Sequence, residues 1–168
     1  VTDTFDKAAR SDIMAHVRHK DTGPEMLLRK SLFAKGLRYR LHVKALPGCP
    51  DLVFPRYHAV IFVHGCLWHW HGCKRSRMPS SNTEYWTTKI ARNRKRDSDH
   101  LARLLALKWR VIVVWECTLK RSMAESTANM VASWILSKKN GGVIEPSREQ
   151  GNTNLRFRLF DKEIQEVD

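Results

Sequence analysis

A single α/β domain, with a mixed central sheet and flanking helices, is the fold this sequence predicts. Two apolar runs, His58–Val63 and Trp109–Trp115, have the length and β-branched content of strands buried on both faces. A long stretch of helical periodicity lies between them, and a loop crowded with cysteine and histidine follows the first run. The chain has 168 residues, which is one domain's worth and enough to bury a core.

The elements can be justified in order. Residues 10–19 read as a polar, basic helical arm that Asp21-Thr22-Gly23-Pro24 interrupts. Residues 25–35 have helical composition, with Leu28 and Leu32 on one stripe and Gly36 as a stop. Residues 38–43 alternate as a strand does, Pro47-Gly48-Cys49-Pro50 is a turn, and a strand starts at Asp51. After the Cys/His loop, Asn82 or Thr83 can cap a helix running to about Leu107. Its stripe is Trp86, Ile90, Asp97, Leu101, Leu104 and Leu105, which puts a carboxylate on the inward face. Burying Asp97 is costly unless it is paired or has a task. Residues 122–139 close with a helix whose stripe is Met123, Met130, Val131 and Trp134. Residues 140–168 form a tail with little pattern, in which 155–160 is a candidate for a short added strand. The domain is therefore expected over 1–139, with 1–20 as a basic N-terminal arm.

The stretch His64-Gly65-Cys66-Leu67-Trp68-His69-Trp70-His71-Gly72-Cys73 carries the densest chemistry. With Cys117, which follows the second core strand, Cys66, His71 and Cys73 form a Cys₃His set, the donor number and type of a tetrahedral structural zinc. His69 in place of His71 is the rival ligand assignment. The alternative of two disulfides suits a secreted chain. The opening residues Val1–Lys7 have no apolar signal-type segment, so a cytoplasmic protein with reduced thiols is expected. Cys49 stands apart and reads as a free, packed thiol.

Thirty Lys+Arg against seventeen Asp+Glu leave a formal charge of +13, the footprint of a polyanion partner. Lys74-Arg75-Ser76-Arg77 and Arg92-Asn93-Arg94-Lys95-Arg96 concentrate that charge near the aromatic residues. Either run alone reads as a solvated face, but together they favour nucleic acid over a membrane surface. No apolar run reaches the length of a membrane span.

These residues resemble the very-short-patch-repair (Vsr) DNA mismatch endonucleases, a branch of the restriction-endonuclease-like PD-(D/E)xK fold. The matching stretches are Arg10-Ser11 with Met14, Asp21-Thr22 before Glu25, and Leu46-Pro47-Gly48-x-Pro50-Asp51. They continue through Ile61-Phe62-x-His64-Gly65-Cys66-x-Trp68-His69, Cys73, Tyr85-Trp86 and Trp109-Arg110-Val111 to Trp115-Glu116-Cys117. The resemblance spans roughly residues 5–137. Val63, Leu67 and Trp70 depart from it, where family members usually carry Thr, Phe and often His.

The resemblance implies a magnesium-dependent endonuclease that nicks one strand 5′ of the thymine in a T:G mismatch, the lesion left by deamination of 5-methylcytosine. The product would carry a 5′-phosphate. By the same resemblance Asp51 bridges the catalytic magnesium ions, taken as two, and the main-chain carbonyl of Val63 completes the protein's share. From its residues alone, Asp51 reads equally well as a turn cap. His69 is the candidate general base, because an imidazole can accept a proton near neutral pH. Asp97 would orient it, and His64 would assist at the water or the phosphate. Glu25 fits a Thr22-x-x-Glu25 capping box, and the family also treats it as part of the active centre.

Leu67, Trp68 and Trp86 are candidate wedges that unstack a base step, with Lys74, Arg75, Arg77 and Lys89 on phosphates. Packing over the zinc loop is the competing role for Trp68, and the choice stays open for Trp70. Double-stranded DNA with a T:G mismatch is the expected partner of a monomer in the bacterial cytoplasm. Contacts with mismatch-repair or methyltransferase systems are left open. Two rivals remain: a Vsr-fold nuclease with another target, and a catalytically idle zinc-braced DNA-binding module.

Overall fold

The computed structural model describes Asp12 and residues 20–137, 139–146 and 155–160. The basic arm expected over 10–19 lies outside these residues apart from Asp12, as do Arg10, Ser11 and Met14.

Six strands form one sheet in sequence order: β1 (Arg40–Leu41), β2 (Leu52–Phe54), β3 (Ala59–His64), β4 (Arg110–Trp115), β5 (Gly142–Pro146) and β6 (Leu155–Leu159). The β3–β4 and β4–β5 pairs are parallel and the other three are antiparallel, so the sheet is mixed. Parallel neighbours need crossovers, which the helices α2 (Thr83–Ala106) and α3 (Ala124–Leu136) supply. Helix α1 (Gly23–Ala34) precedes the sheet.

The strands alternate between two cores. Leu52, Phe54, Ala59, Ile61, Ile112 and Val114 face α1 and α3, where Leu28, Leu32, Val131 and Trp134 are buried. Val53, Val60 and Val111 face the other way and pack with Leu104 of α2. Successive side chains of a strand point to opposite faces, so β3 and β4 must be apolar throughout once both faces are covered. This accounts for the two continuous apolar runs.

Helix α1 begins two residues before Glu25 because Thr22 accepts from the Glu25 amide and Glu25 returns a bond to the Thr22 amide, both at 3.4 Å. The expected cap of α2 is absent: Asn82 has φ 53° and its side chain makes no capping hydrogen bond. The alternating run 38–43 pairs only at Arg40–Leu41, because His42 turns into the left-handed region at φ 45°.

The tail contains β5, which the sequence pattern did not disclose, and β6, which it did. Gly141-Gly142 reads as a loop signal, yet a Cβ on Gly141 would stand 2.2 Å from the Val111 carbonyl oxygen. One on Gly142 would stand 2.4 Å from that of Arg158. These glycines permit close backbone approach within the sheet. No described helix is long and apolar enough to cross a membrane.

Candidate functional site

Two clusters flank the C-terminal end of β3. In the first, Asp51 stands at the entrance to β2, and its Oδ2 accepts from the Val63 amide at 2.7 Å. This bond lies just beyond the last paired residues of β2 and β3, Leu52 and Ile61. The same strand ends at His64, whose ring stacks on that of His69 with centroids 3.9 Å apart and planes 10° from parallel. His69 Nδ1 is hydrogen-bonded to Asp97 Oδ2 on α2, which gives the inward-facing carboxylate its partner. Asp51, Val63, His64, His69 and Asp97 all line one cavity of about 590 Å³, together with Arg96. That volume is in the range of small-ligand clefts.

The electrostatics differ residue by residue. Burial pushes the Asp51 carboxyl up to about 6, and Glu25 adds to this while the Val63 amide opposes it. A carboxylate that is costly to ionise is a ready ligand for a cation. Burial and the neighbouring charge of His69 push His64 down to about 3, so its ring is neutral. Burial alone would raise Asp97, but the hydrogen bond and charge of His69, with His64 and Arg96, hold it below the ordinary carboxylate range. An ionised Asp97 accepts from Nδ1–H and leaves His69 Nε2 free as an acceptor.

Glu25 is buried and ion-paired with Arg29. His42 stands between it and Asp51, with Nε2 3.3 Å from Glu25 Oε1 and Nδ1 3.8 Å from Asp51 Oδ1. The capping box and the approach to Asp51 therefore coexist in one glutamate.

The second cluster is Cys66, His71, Cys73 and Cys117, with one ligand atom from each lying within 4.8 Å of the others. His71 Nδ1 is 3.7 Å from Cys66 Sγ and 3.4 Å from Cys117 Sγ. The fold thus groups His71 with the thiols and His69 with Asp97. The Cys117 thiol and burial together raise the Cys66 thiol, and a bound divalent cation relieves such crowding between sulfurs. All four cysteines are free, Cys49 included. Donor types, number and convergence fit a structural zinc site.

Several residues take supporting roles that the sequence reading did not assign to them. Trp115 stacks on His71 at 4.4 Å and meets His64 edge-on at 5.6 Å, so one indole braces both clusters. Glu145 on β5 brings Oε2 to 3.9 Å from His71 Nε2, the outer position from which carboxylates orient metal-bound imidazoles. Glu116 accepts from the Cys66 amide at 3.0 Å, and buried Ser76 donates to the Cys66 carbonyl at 2.9 Å. Only the tertiary structure brings these groups together; no local spacing marks them.

Of the expected DNA-contacting residues, Trp68, Trp86 and Lys89 cluster together. Trp68 and Trp86 are 5.5 Å apart by ring centroid, and Lys89 Nζ lies over Trp68, Tyr85 and Trp86 at 5.2, 5.3 and 5.6 Å. Asn93 of α2 anchors this loop by donating to the Trp68 carbonyl at 3.0 Å. Gly65 leaves room for the Trp68 ring, which would meet a Cβ there at 2.9 Å. Leu67 and Trp70 are half-buried. Lys74, Arg75 and Arg77 are exposed, with Arg75 also 3.5 Å from Glu116.

Residues 2–75 match the family description "DNA mismatch endonuclease Vsr". The type II nicking enzyme V.XorIIP of Xanthomonas oryzae pv. oryzae is 49% identical over 119 residues, covering 71% of this chain and 88% of the relative. V.NmeAIP, a type II nicking enzyme of Neisseria meningitidis, is 44% identical, covering 71% and 86%. The DNA mismatch endonuclease Vsr of Escherichia coli is 40% identical over 138 residues, covering 80% and 88%. The family match and the relatives define the class as DNA endonucleases. The chain belongs to the Vsr DNA mismatch endonuclease family, which includes strand-nicking enzymes, and DNA is the substrate this implies.

Proposed function

We propose that this chain is a magnesium-dependent mismatch endonuclease that nicks one DNA strand 5′ of the thymine in a T:G pair. The observation that carries the proposal is the convergence on one cavity of Asp51 with the end of β3 on one side and the His64–His69–Asp97 constellation on the other. A module that only binds DNA has no use for a stacked histidine pair ordered by a half-buried carboxylate.

The Asp51 carboxylate and the Val63 carbonyl would hold the magnesium, which supplies charge neutralisation at phosphorus and at the leaving oxygen. Either Thr or Val offers the same main-chain oxygen at 63, so this departure from the family leaves the ligand intact. His69 accepts a proton from the attacking water at Nε2. Asp97 holds the Nδ1 proton and stabilises the imidazolium that forms. The neutral His64 ring keeps His69 in place by stacking and adds no competing positive charge. As the water oxygen bonds to phosphorus, the P–O3′ bond breaks, leaving a 5′-phosphate and a 3′-hydroxyl.

Recognition rests on deformability. Inserting Leu67, Trp68 or Trp86 into a base step costs a few kcal/mol, and a mismatched step resists less. Trp68 and Trp86 must leave their mutual contact to stack on bases. Lys74, Arg75 and Arg77 are suitably exposed for phosphates, and Lys89 can follow the tryptophans to the backbone.

The test is a magnesium-dependent nicking assay on end-labelled duplexes carrying every mismatch in several flanking contexts. Nicking confined to the thymine strand of T:G duplexes is the expected result. Preference for another mismatch or for a matched site would replace the T:G assignment, and binding without cleavage would leave the idle module.

A further inference from the structure

We propose that His42 is a positioning residue that orients the Asp51 carboxylate for cation binding, through a tautomer imposed by Arg29. The inference rests on the reading above that Asp51 is the cation ligand.

The geometry around the His42 ring is asymmetric. Its Nε2 is 2.8 Å from Arg29 Nη2. Glu25 Oε1 also lies 3.3 Å from Nε2, but the same Arg29 Nη2 is paired with that oxygen and stands closer to the ring. A guanidinium has donors only, so Nε2 accepts from it and the ring proton is assigned to Nδ1. Nδ1 faces Asp51 Oδ1 at 3.8 Å. This exceeds a hydrogen bond but lies within the range from which such contacts tighten when a ligand arrives. Asp51 Oδ2 is already committed to the Val63 amide at 2.7 Å. Hence the two carboxylate oxygens face different donors, Oδ2 the strand amide and Oδ1 the imidazole.

Arg29 is itself pinned. It is buried, with ion pairs to Glu25 and Asp21, and so cannot turn away from the ring. The capping box that starts α1 includes Glu25 and so fixes the far end of this relay. At φ 45°, His42 occupies a backbone region uncommon for a residue with a side chain. That turn ends β1 after two residues and brings the ring inward, leaving its side chain 15% exposed. Left-handed backbone at a ring held by three charged neighbours is the pattern of local strain retained at a functional site.

The experiment uses the zinc-loaded full chain. Mn²⁺ binding is measured by electron paramagnetic resonance on wild type, Asp51→Ala, His42→Leu and His42→Asn, alongside the Mg²⁺ dependence of nicking. Asparagine keeps a donor near the Nδ1 position and tolerates left-handed backbone. His42→Leu should weaken Mn²⁺ binding by about 10–100-fold, the usual effect of removing an outer-shell partner. It should raise the Mg²⁺ needed for half-maximal nicking in parallel, with the rate recovering at saturation. His42→Asn should restore most of both. ¹⁵N NMR of His42 should show the proton on Nδ1.

If His42→Leu binds Mn²⁺ like wild type while Asp51→Ala does not, the positioning role is overturned and the ligand role of Asp51 stands. Unchanged binding in Asp51→Ala overturns both. Should His42→Leu lose zinc or its thermal transition, the asparagine variant and the NMR tautomer decide, and a proton on Nε2 overturns the proposal.

Discussion

The imidazoles of His64 and His69 stack face to face with their centroids 3.9 Å apart, and among the described residues it is the His69 ring that is hydrogen-bonded to the Asp97 carboxylate. A proton on one ring disfavours a proton on the other. Burial, with the charge of His69, holds His64 neutral with a pKa of about 3, which in the proposed mechanism leaves proton transfer to its neighbour. In the proposed mechanism one of two adjacent histidines is the base and the other its support.

His69→Ala should reduce nicking by about 10²–10⁴-fold, the usual worth of a positioned general base. The residual rate should rise with pH as hydroxide replaces the missing base. Zinc content, measured by metal analysis, should match wild type because His69 lies outside the cysteine cluster. A zinc-deficient variant would make His69 a ligand and refute the role division.

Asp51 predicts a dependence on pH in both binding and stability. Its pKa is raised from 3.8 to about 6, so between these values the folded protein holds a proton that the unfolded chain releases. Linkage then requires the cation-free fold to lose stability as pH rises through that window. Asp51→Asn should recover on the order of 1–3 kcal/mol at pH 8, read as a higher denaturation midpoint, while abolishing nicking. Mg²⁺ affinity of the wild type should fall about tenfold per pH unit below 6, since each cation must displace the proton. A pH-independent affinity would remove Asp51 from the cation site.

Cys73→Ser and Cys117→Ser should lose zinc and lower the melting temperature, because metal-binding energy is folding energy at such sites. Glu145→Ala should retain the fold but release zinc to a chelator with about 10–100-fold weaker affinity, as loss of an outer-shell carboxylate does. Equal chelator resistance in wild type and Glu145→Ala would limit Glu145 to its contacts with Arg156 and Arg158, at 2.6 and 3.6 Å.

Trp68→Ala should narrow the difference in affinity between T:G and matched duplexes more than it lowers affinity for matched DNA. A wedge contributes only where a step opens. Competition binding on paired duplexes reads this directly. Equal losses on both would assign Trp68 to packing against Trp86 and the zinc loop.

Much of this was legible in residue types and local spacing. The runs that became β3 and β4 had to be apolar on both faces, and the helical stripe that carries Asp97 among leucines disclosed a carboxylate held near the interior. Three donors of the Cys/His cluster lie within eight residues, so local spacing sufficed to propose them; Cys117 follows from its place at the end of a core strand. What only the tertiary structure decided depends on contacts between distant segments. Whether His69 or His71 joins the thiols is invisible in a motif where both alternate with tryptophans, and the turn after Gly65 resolves it by pointing His71 Nδ1 at Cys117. The role of His42 needs Arg29, Glu25 and Asp51 brought to one ring from α1 and from the strand entrance. β5 went unread because its glycines signal a loop by propensity, while the sheet requires them for close packing. Propensity and periodicity act over a few neighbouring residues, whereas these assignments follow from which backbones meet across the fold.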